Sequence, residues 1–520
     1  MAAARICRGS ALHRLIYLVS FSPSVSVSVS QELTYYAHYW RRRSRIWSQT
    51  GCYYGGGRIL DREEVSNSVC VDSPPFFRQF TTRTYAVGSN CAKARFDGES
   101  VASQMIKYAV TCRAQDAMHG EAVRVLEQGK TILLADGAAS ATAAGRILLK
   151  LASFYADRAK LLDAVDVLQQ AADLDGASLD VRVAALEALV GVCLRLHQEE
   201  SGLGYANSCG QLVKASKDQV SKLQFEELEF RSNAIAALCS LVCAQRGAAE
   251  APLGQDLPTW ISDNSHGTGE LAAAILSFSQ CAHVGGQLSC AKDLYERAIT
   301  IISNTKETSE LTLASVAMAP EEVHIGALAG LGQLASHLGD FEQAEAKLTE
   351  ALSQAEHING DKHPRVGIIL ACMADVYACR GSKGTGDIII TEGLYRRALD
   401  LLGTPSLDLP DSAKLIDLSD VMALSRARYA DVISKAPNRD TEADRLHKWA
   451  EKMWKGPQPL MQLLAADASQ HSQQVKLSLS DVKSTSGIEG NQIREVHDAG
   501  NMDGNVVVDV RLGRVIWKGK

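Results

Sequence analysis

No two of the 13 cysteines in this 520-residue chain stand as CxxC. That leaves out the commonest zinc-ribbon and thioredoxin-type patterns. Cys239/Cys243 and Cys372/Cys379 fall inside apolar helical patterns and read as reduced, small core residues. HExxH is absent, His357 and His363 are the closest histidine pair in the repeat region, and no GxSxG elbow or cysteine–histidine arrangement supports a nucleophile and its base. The chain is therefore expected to be no enzyme and to need neither metal nor cofactor. Apolar runs are also too short to span a bilayer. Aromatic residues make up only 6% against 46% hydrophobic residues in all. Alanine supplies much of the difference, which favours helices in close contact over a strand-rich sandwich and points to an all-α fold.

Charge is unevenly divided. Residues 1–85 hold eleven arginines, no lysine and five acids, a balance of +6, which leaves −12 for the rest of a chain at −6. Such an acidic body repels nucleic acid over most of its surface, so no nucleic-acid partner is expected. The start, MAAARICRGSALHRLIYLVSFSPSVSVSVS, has Arg5, Arg8 and Arg14, alternating serines and no acid before Glu32, the composition of an organelle transit peptide. Arg83-Thr84-Tyr85-Ala86 matches an arginine-minus-three cleavage pattern. Residues 1–85 are thus expected to be a disordered mitochondrial presequence and 86–100 a linker, with the mature protein in the matrix or at the inner membrane. A plastid address is the alternative. Within the presequence, YYAHYWRRRSRIW could stack and clamp single-stranded RNA.

Beyond residue 100 the chain repeats. Ala122, Ala164 and Ala206 are forty-two residues apart, as are Leu126 and Leu168. LAGLGQLASHLGDFEQAEAKLTEALSQAE shows the unit: one helix marked by Leu328, Leu331, Gly332 and Ala335, a Gly339-Asp340 turn, and a second helix marked by Ala344, Leu348 and Ala351. ILLKLASFYADRAKLLDAVDVLQQAADL repeats it with Ala152, Ala164 and Ala171, and later copies place Ala374 and Ala398 in the same roles. Small residues are needed where antiparallel helices approach closely. The pattern predicts a helix-turn-helix repeat solenoid over 101–456, irregular at 214–268, where LQFEELEFRSNAIAALCSLVCAQ reads as one long helix before a loop.

These residues resemble the tetratricopeptide (TPR) family, and the long period resembles its kinesin-light-chain-type branch. HINGDKHPRVGIILACMADVYACRG carries that branch's Gly-x-x-His-Pro junction in Gly360, His363 and Pro364. The resemblance implies a TPR-like superhelix whose first helices line a concave, partner-binding groove. It places Arg146, Lys150, Ser153, Asp157, Gln333, Ser336, His337 and Asp375 there. The lysine and asparagine clamp of chaperone-tail binders is missing, with Leu149 and Ser153, or Ala329 and Gln333, at the matching places, so Hsp70 or Hsp90 tail binding is disfavoured. The implied role is a non-catalytic scaffold or assembly factor for a mitochondrial complex. An organellar RNA-binding repeat protein is the alternative.

GSKGTGD at 381–387 places its lysine too early for a phosphate loop and follows a helix instead of a strand, so it reads as an enlarged turn. After residue 456 a polar linker is expected over 457–503. The tail, 504–520, reads NVVVDVRLGRVIWKGK from Asn505 and is prone to form strands. A lone strand pair is marginal in water, so the tail is expected to pair with the solenoid's end or with a partner's sheet edge, and its deletion to reduce stability or partner binding.

Overall fold

A computed structural model describes residues 97–112, 116–245, 269–304, 316, 318–380, 385–407, 417–467 and 505–518. The expected presequence, its expected cleavage site and the Arg41–Arg45 cluster lie outside the described residues, as does 381–384 of the glycine run. The protein is an all-α repeat solenoid that ends in a small β-hairpin. Its helices are α1 (Gly98–Thr111), α2 (Asp116–Ala135), α3 (Ala141–Asp157), α4 (Leu161–Ala172), α5 (Leu179–Arg195), α6 (Glu199–Ala215), α7 (Lys222–Ala244) and α8 (Gly269–Val284). They continue as α9 (Leu288–Asn304), α10 (Pro320–His337), α11 (Phe341–Asn359), α12 (Pro364–Arg380), α13 (Thr385–Leu401), α14 (Ser419–Ile433) and α15 (Asp440–Met453). The hairpin consists of β1 (Val507–Asp509) and β2 (Arg514–Ile516).

Helices pack in successive pairs, α3 with α4, α5 with α6, α8 with α9, α10 with α11, α12 with α13 and α14 with α15. First helices also touch one another, α3 to α5, α5 to α7, α7 to α8, α8 to α10, α10 to α12 and α12 to α14. They form an inner layer. The two layers differ as burial requires. Outer helix α11 buries a single stripe, Ala344, Leu348, Ala351, Leu352 and Ala355. Inner helix α10 is buried at nearly every position from Glu322 to Ser336, because it is covered on both sides.

Small residues permit the close approach. Ala152, Ala164, Ala171, Ala344, Ala351, Ala374 and Ala398 are fully buried. A Cβ on Gly332 would stand 2.6 Å from Leu348 Cγ and 3.2 Å from the Ala344 carbonyl. Gly332→Ala should therefore cost about 1–3 kcal/mol, read as a lower urea midpoint.

Four inner helices end alike. Ala159, His197, Gly286 and Gly339 have φ between +55° and +81°. In each case the next residue's N–H reaches back five positions, as from Lys160 to the Tyr155 carbonyl at 2.9 Å and from Asp340 to Ala335 at 2.9 Å. This is the Schellman closure, which glycine adopts without strain. Ala159 is exposed, so Ala159→Gly relieves the left-handed strain without opening a cavity. A gain of about 0.5–1 kcal/mol in denaturant unfolding is expected. The Gly-x-x-His-Pro junction is likewise mechanical. Gly360, at φ +88°, ends α11, and His363 Nδ1 accepts the Arg365 N–H at 3.1 Å, capping α12 just before Pro364. Proline suits that first position because its missing N–H would have gone unpaired.

Two boundaries move. Among the described residues the first helix begins at Gly98, inside the expected linker, and Asp97 caps it by accepting the Ser100 N–H at 3.3 Å. Residues 460–467, expected as linker, are helical, because Leu460, Leu463 and Leu464 are buried. Cysteines fill space: Cys209 and Cys281 are buried, and burial pushes both thiols up to about 12.

Candidate peptide-binding groove

The inner layer curls around the chain's own tail. The α5 end meets the segment leading into α14: Arg195 Nε donates to Asp417 Oδ1 at 2.7 Å, and His197 Nε2 lies 3.1 Å from Ser419 Oγ. Inside this curve sits the hairpin, with Val507 opposite Ile516, Val508 opposite Val515 and Asp509 opposite Arg514 in antiparallel register. Among the described residues the tail's strands pair with no other strand. The tail pairs with itself and is covered by the first helices. The reason is in its sequence: Val506, Val507, Val508 and Val510 run without polar alternation, so both faces of the strand need cover. All four are buried, together with Leu512, Val515, Ile516 and Trp517.

Its turn is self-contained. Asp509, fully buried, accepts the N–H of Arg511 at 2.8 Å and of Leu512 at 3.3 Å, and the Gly513 N–H reaches the Asp509 carbonyl at 2.8 Å. Gly513 has φ +62°, and a Cβ there would stand 2.0 Å from Leu418 Cδ2, so no other residue fits.

The groove reads this segment in two ways. Side chains satisfy its backbone. The Gln333 carboxamide donates to the Val508 carbonyl at 3.0 Å and accepts the Val508 N–H at 2.7 Å, standing in for a neighbouring strand. Gln245 Nε2 donates to the Trp517 carbonyl at 2.8 Å, and Asp467 Oδ1 accepts the Val506 N–H at 3.2 Å. Other groups take the segment's two arginines. Arg511 donates to Gln280 Oε1 at 3.0 Å, Ser277 Oγ at 3.3 Å and the Ala273 carbonyl at 3.3 Å, all on α8. Arg514 lies between two buried carboxylates, Glu199 at 3.1 Å and Asp420 at 3.2 Å, and also donates to His197 Nδ1. A guanidinium can only donate, so that histidine's proton lies on Nε2, toward Ser419. The Trp517 ring lies on Trp454, centroids 5.2 Å apart.

The residues expected in the groove divide along the array. Gln333 touches the hairpin directly. Ser336 is buried one turn on, and His337 bonds His283 through Nδ1 and Nε2 at 2.9 Å, while the His283 carbonyl accepts from Asn505 Nδ2 at 3.2 Å. Asp375 pairs with Arg428, which also holds Asp467 at 2.8 Å and so steadies the acceptor of the Val506 N–H. Arg146, Lys150, Ser153 and Asp157 lie on α3, away from these contacts. Arg146 is buried and paired with Glu99 at 2.7 Å, Ser153 donates to the Leu149 carbonyl at 3.4 Å, Lys150 is buried and Asp157 half-buried.

Sequence reasoning missed Gln280, Glu199, His197, Asp420, Gln245, Trp454 and Asp467. One signal was available. Gln280 stands six residues before Gly286 as Gln333 does before Gly339, and Gly191 stands six before His197. At these places Gln280 takes Arg511, Gln333 takes Val508, and Gly191 leaves room for Leu512, whose Cδ2 would be 3.3 Å from an added Cβ.

Behind the hairpin's turn is a cavity of about 30 Å³, lined in part by Glu187, Arg231, Glu270, Arg511 and Leu512. At the hairpin's open end, beside Asn505, His283 is fully buried and bonded to Tyr295 OH at 3.3 Å and to His337. Burial holds the imidazole well below its ordinary 6.5, and His337 adds to the shift. Above pH 6.5 folded and unfolded chains both carry this group neutral. Below it the unfolded chain takes up a proton that the folded one refuses, so stability falls as pH drops. Urea midpoints measured from pH 7.5 to 5.5 should decline, and His283→Gln should flatten the decline.

No family model and no curated protein matches the chain. Among solved structures, one described as a circular tandem repeat protein with novel repeat topology and enhanced subunit contact surfaces is similar at 12% identity, covering 74% of this chain and 98% of its own, with a TM-score of 0.19. Among the described residues no helix is long and apolar enough to cross a membrane, and no group of three or more His, Cys, Asp or Glu could hold a metal ion.

Proposed function

We propose that the protein is a non-catalytic protein-interaction scaffold that acts as an assembly factor for a mitochondrial complex. One observation carries the binding reading. The inner layer already holds a stretch of extended polypeptide through the paired Gln333–Val508 bonds, which depend on backbone and not on sequence. Solenoids of stacked helix pairs offer long inner surfaces suited to such use. The Gly360, His363 and Pro364 junction and the alanine positions of the outer helices support membership of the tetratricopeptide family's kinesin-light-chain-type branch. Arginine-rich, acid-poor residues 1–31 support the mitochondrial address.

The partner binds in the groove, where it meets a resident segment that it must displace. Native electrophoresis of isolated mitochondria tests this reading, with the protein followed by an epitope inserted between residues 468 and 503, away from the buried C-terminal segment. Co-migration with a defined complex, named by mass spectrometry, is the expected result. Migration as a free monomer, or absence from mitochondria, would remove the assembly role.

A further inference from the structure

We propose that the inner groove is a receptor site for an arginine-bearing β-hairpin peptide, and that residues 505–518 are its ligand bound in cis and not a layer of the array's core. The inference rests on the protein-binding reading above and names the chemistry of the groove's ligand.

Three features separate ligand from receptor. First, the walls are complete without the hairpin. Inner helices from α5 to α14 touch in succession, and the curve is closed by contacts between array residues alone, Arg195 with Asp417 and His197 with Ser419. Second, the hairpin's own fold is local. Its register, the Asp509 bonds and the left-handed Gly513 all lie within 505–518, so the bonds that define its shape are its own and the site supplies the cover that a lone strand pair lacks in water.

Third, the contacts between the two have the form of recognition. Amides from Gln333 and Gln245 satisfy backbone groups that any extended peptide has. Three further subsites are chemically selective and are filled at a spacing of three residues. Gln280 and Ser277 accept from the first arginine, Arg511, whose charge is met within the segment by Asp509 at 3.3 Å. Glu199 and Asp420 take the second, Arg514, and Trp454 takes the aromatic ring of Trp517. Two buried carboxylates facing one guanidinium favour a cation at that position, since burial penalises both negative charges and a positive group between them offsets it. The ligand class is therefore a β-hairpin segment of the form Arg-x-Gly-Arg-x-x-aromatic, with the first arginine in the turn and the second at the start of the return strand, and a partner enters by replacing the tail with a segment of this kind.

The test uses the full chain. A protease site is inserted between residues 468 and 503, the purified protein is cut, and the products are passed through gel filtration. The tail fragment should remain with the array. A fluorescent synthetic peptide of residues 504–520 should then exchange into the cut protein, saturating at one per chain with helical circular dichroism unchanged. The same peptide carrying Arg514→Glu should enter at least about tenfold more weakly, having placed a third carboxylate beside Glu199 and Asp420. Loss of the fragment on the column with no uptake of labelled peptide would overturn the proposal. So would a retained fragment that admits no labelled peptide below the unfolding transition, which would make the tail core. Neither result depends on the mitochondrial native gel, so the receptor and the assembly role can fail separately.

Discussion

Arg514→Ala should lower the unfolding free energy by about 3–5 kcal/mol, the cost expected when one member of a buried charge pair is removed and its partner stays behind. Arg514 is only 4% exposed, and its two carboxylate partners, Glu199 and Asp420, are 4% and 2% exposed. Once the guanidinium is gone, both buried acids lose the cation that faces them, and His197 loses the donor at Nδ1. The effect should be largest on the closure of the curve, because Arg514 bridges Asp420 on α14 and Glu199 on α6, beside the contact of Arg195 at the α5 end with Asp417 ahead of α14. Denaturant unfolding followed by helical circular dichroism measures the size, and limited proteolysis between residues 468 and 520 measures release of the tail. Arg514→Lys keeps the charge while losing the fork that bridges both acids, so it should fall between wild type and Arg514→Ala. A wild-type midpoint for Arg514→Ala would mean that the carboxylates find other partners.

Glu187→Ala should cost a similar amount, about 3–5 kcal/mol, for the same reason in a different place. Arg231 Nε and Nη2 donate to the two Glu187 oxygens at 3.1 and 2.6 Å, a bidentate pair between α5 and α7 in which both residues are buried. Burial pushes the Glu187 carboxyl up and Arg231 pulls it back down, so desolvation opposes the pair's attraction. That balance predicts an asymmetry. Removing one partner strands the other, whereas replacing both with apolar residues, Glu187→Met with Arg231→Leu, should recover most of the loss. A double-mutant cycle in urea unfolding checks it. If the double variant were as unstable as Glu187→Ala alone, the nearby Glu270 or Arg511 would have to depend on the pair.

Much of the outer architecture was legible because it follows from local rules. Alanines forty-two residues apart, the Gly339 turn and Pro364 each have a physical role that can be stated from neighbouring residues alone: close approach, left-handed backbone, first helical position. The groove was legible in part. Gln333, His337 and Asp375 lie on inner helices whose faces the repeat register predicts, and each connects to the tail directly or through one or two side chains. Their partners were not legible. Arg514 is 315 residues from Glu199, and nothing in either local sequence announces the other.

Sequence by itself thus determined the helix pairs, their period, the small residues between them and the strand tendency of the tail, because helical periodicity, Cβ crowding and backbone conformation act over a few residues. Only the tertiary structure decided where the tail goes. A strand pair that is marginal in water becomes stable when its unalternated valines, its backbone edge and its two arginines all meet matching groups. Those groups sit on α5, α6, α7, α8, α10 and the start of α14, and come to one place only when the array has curved.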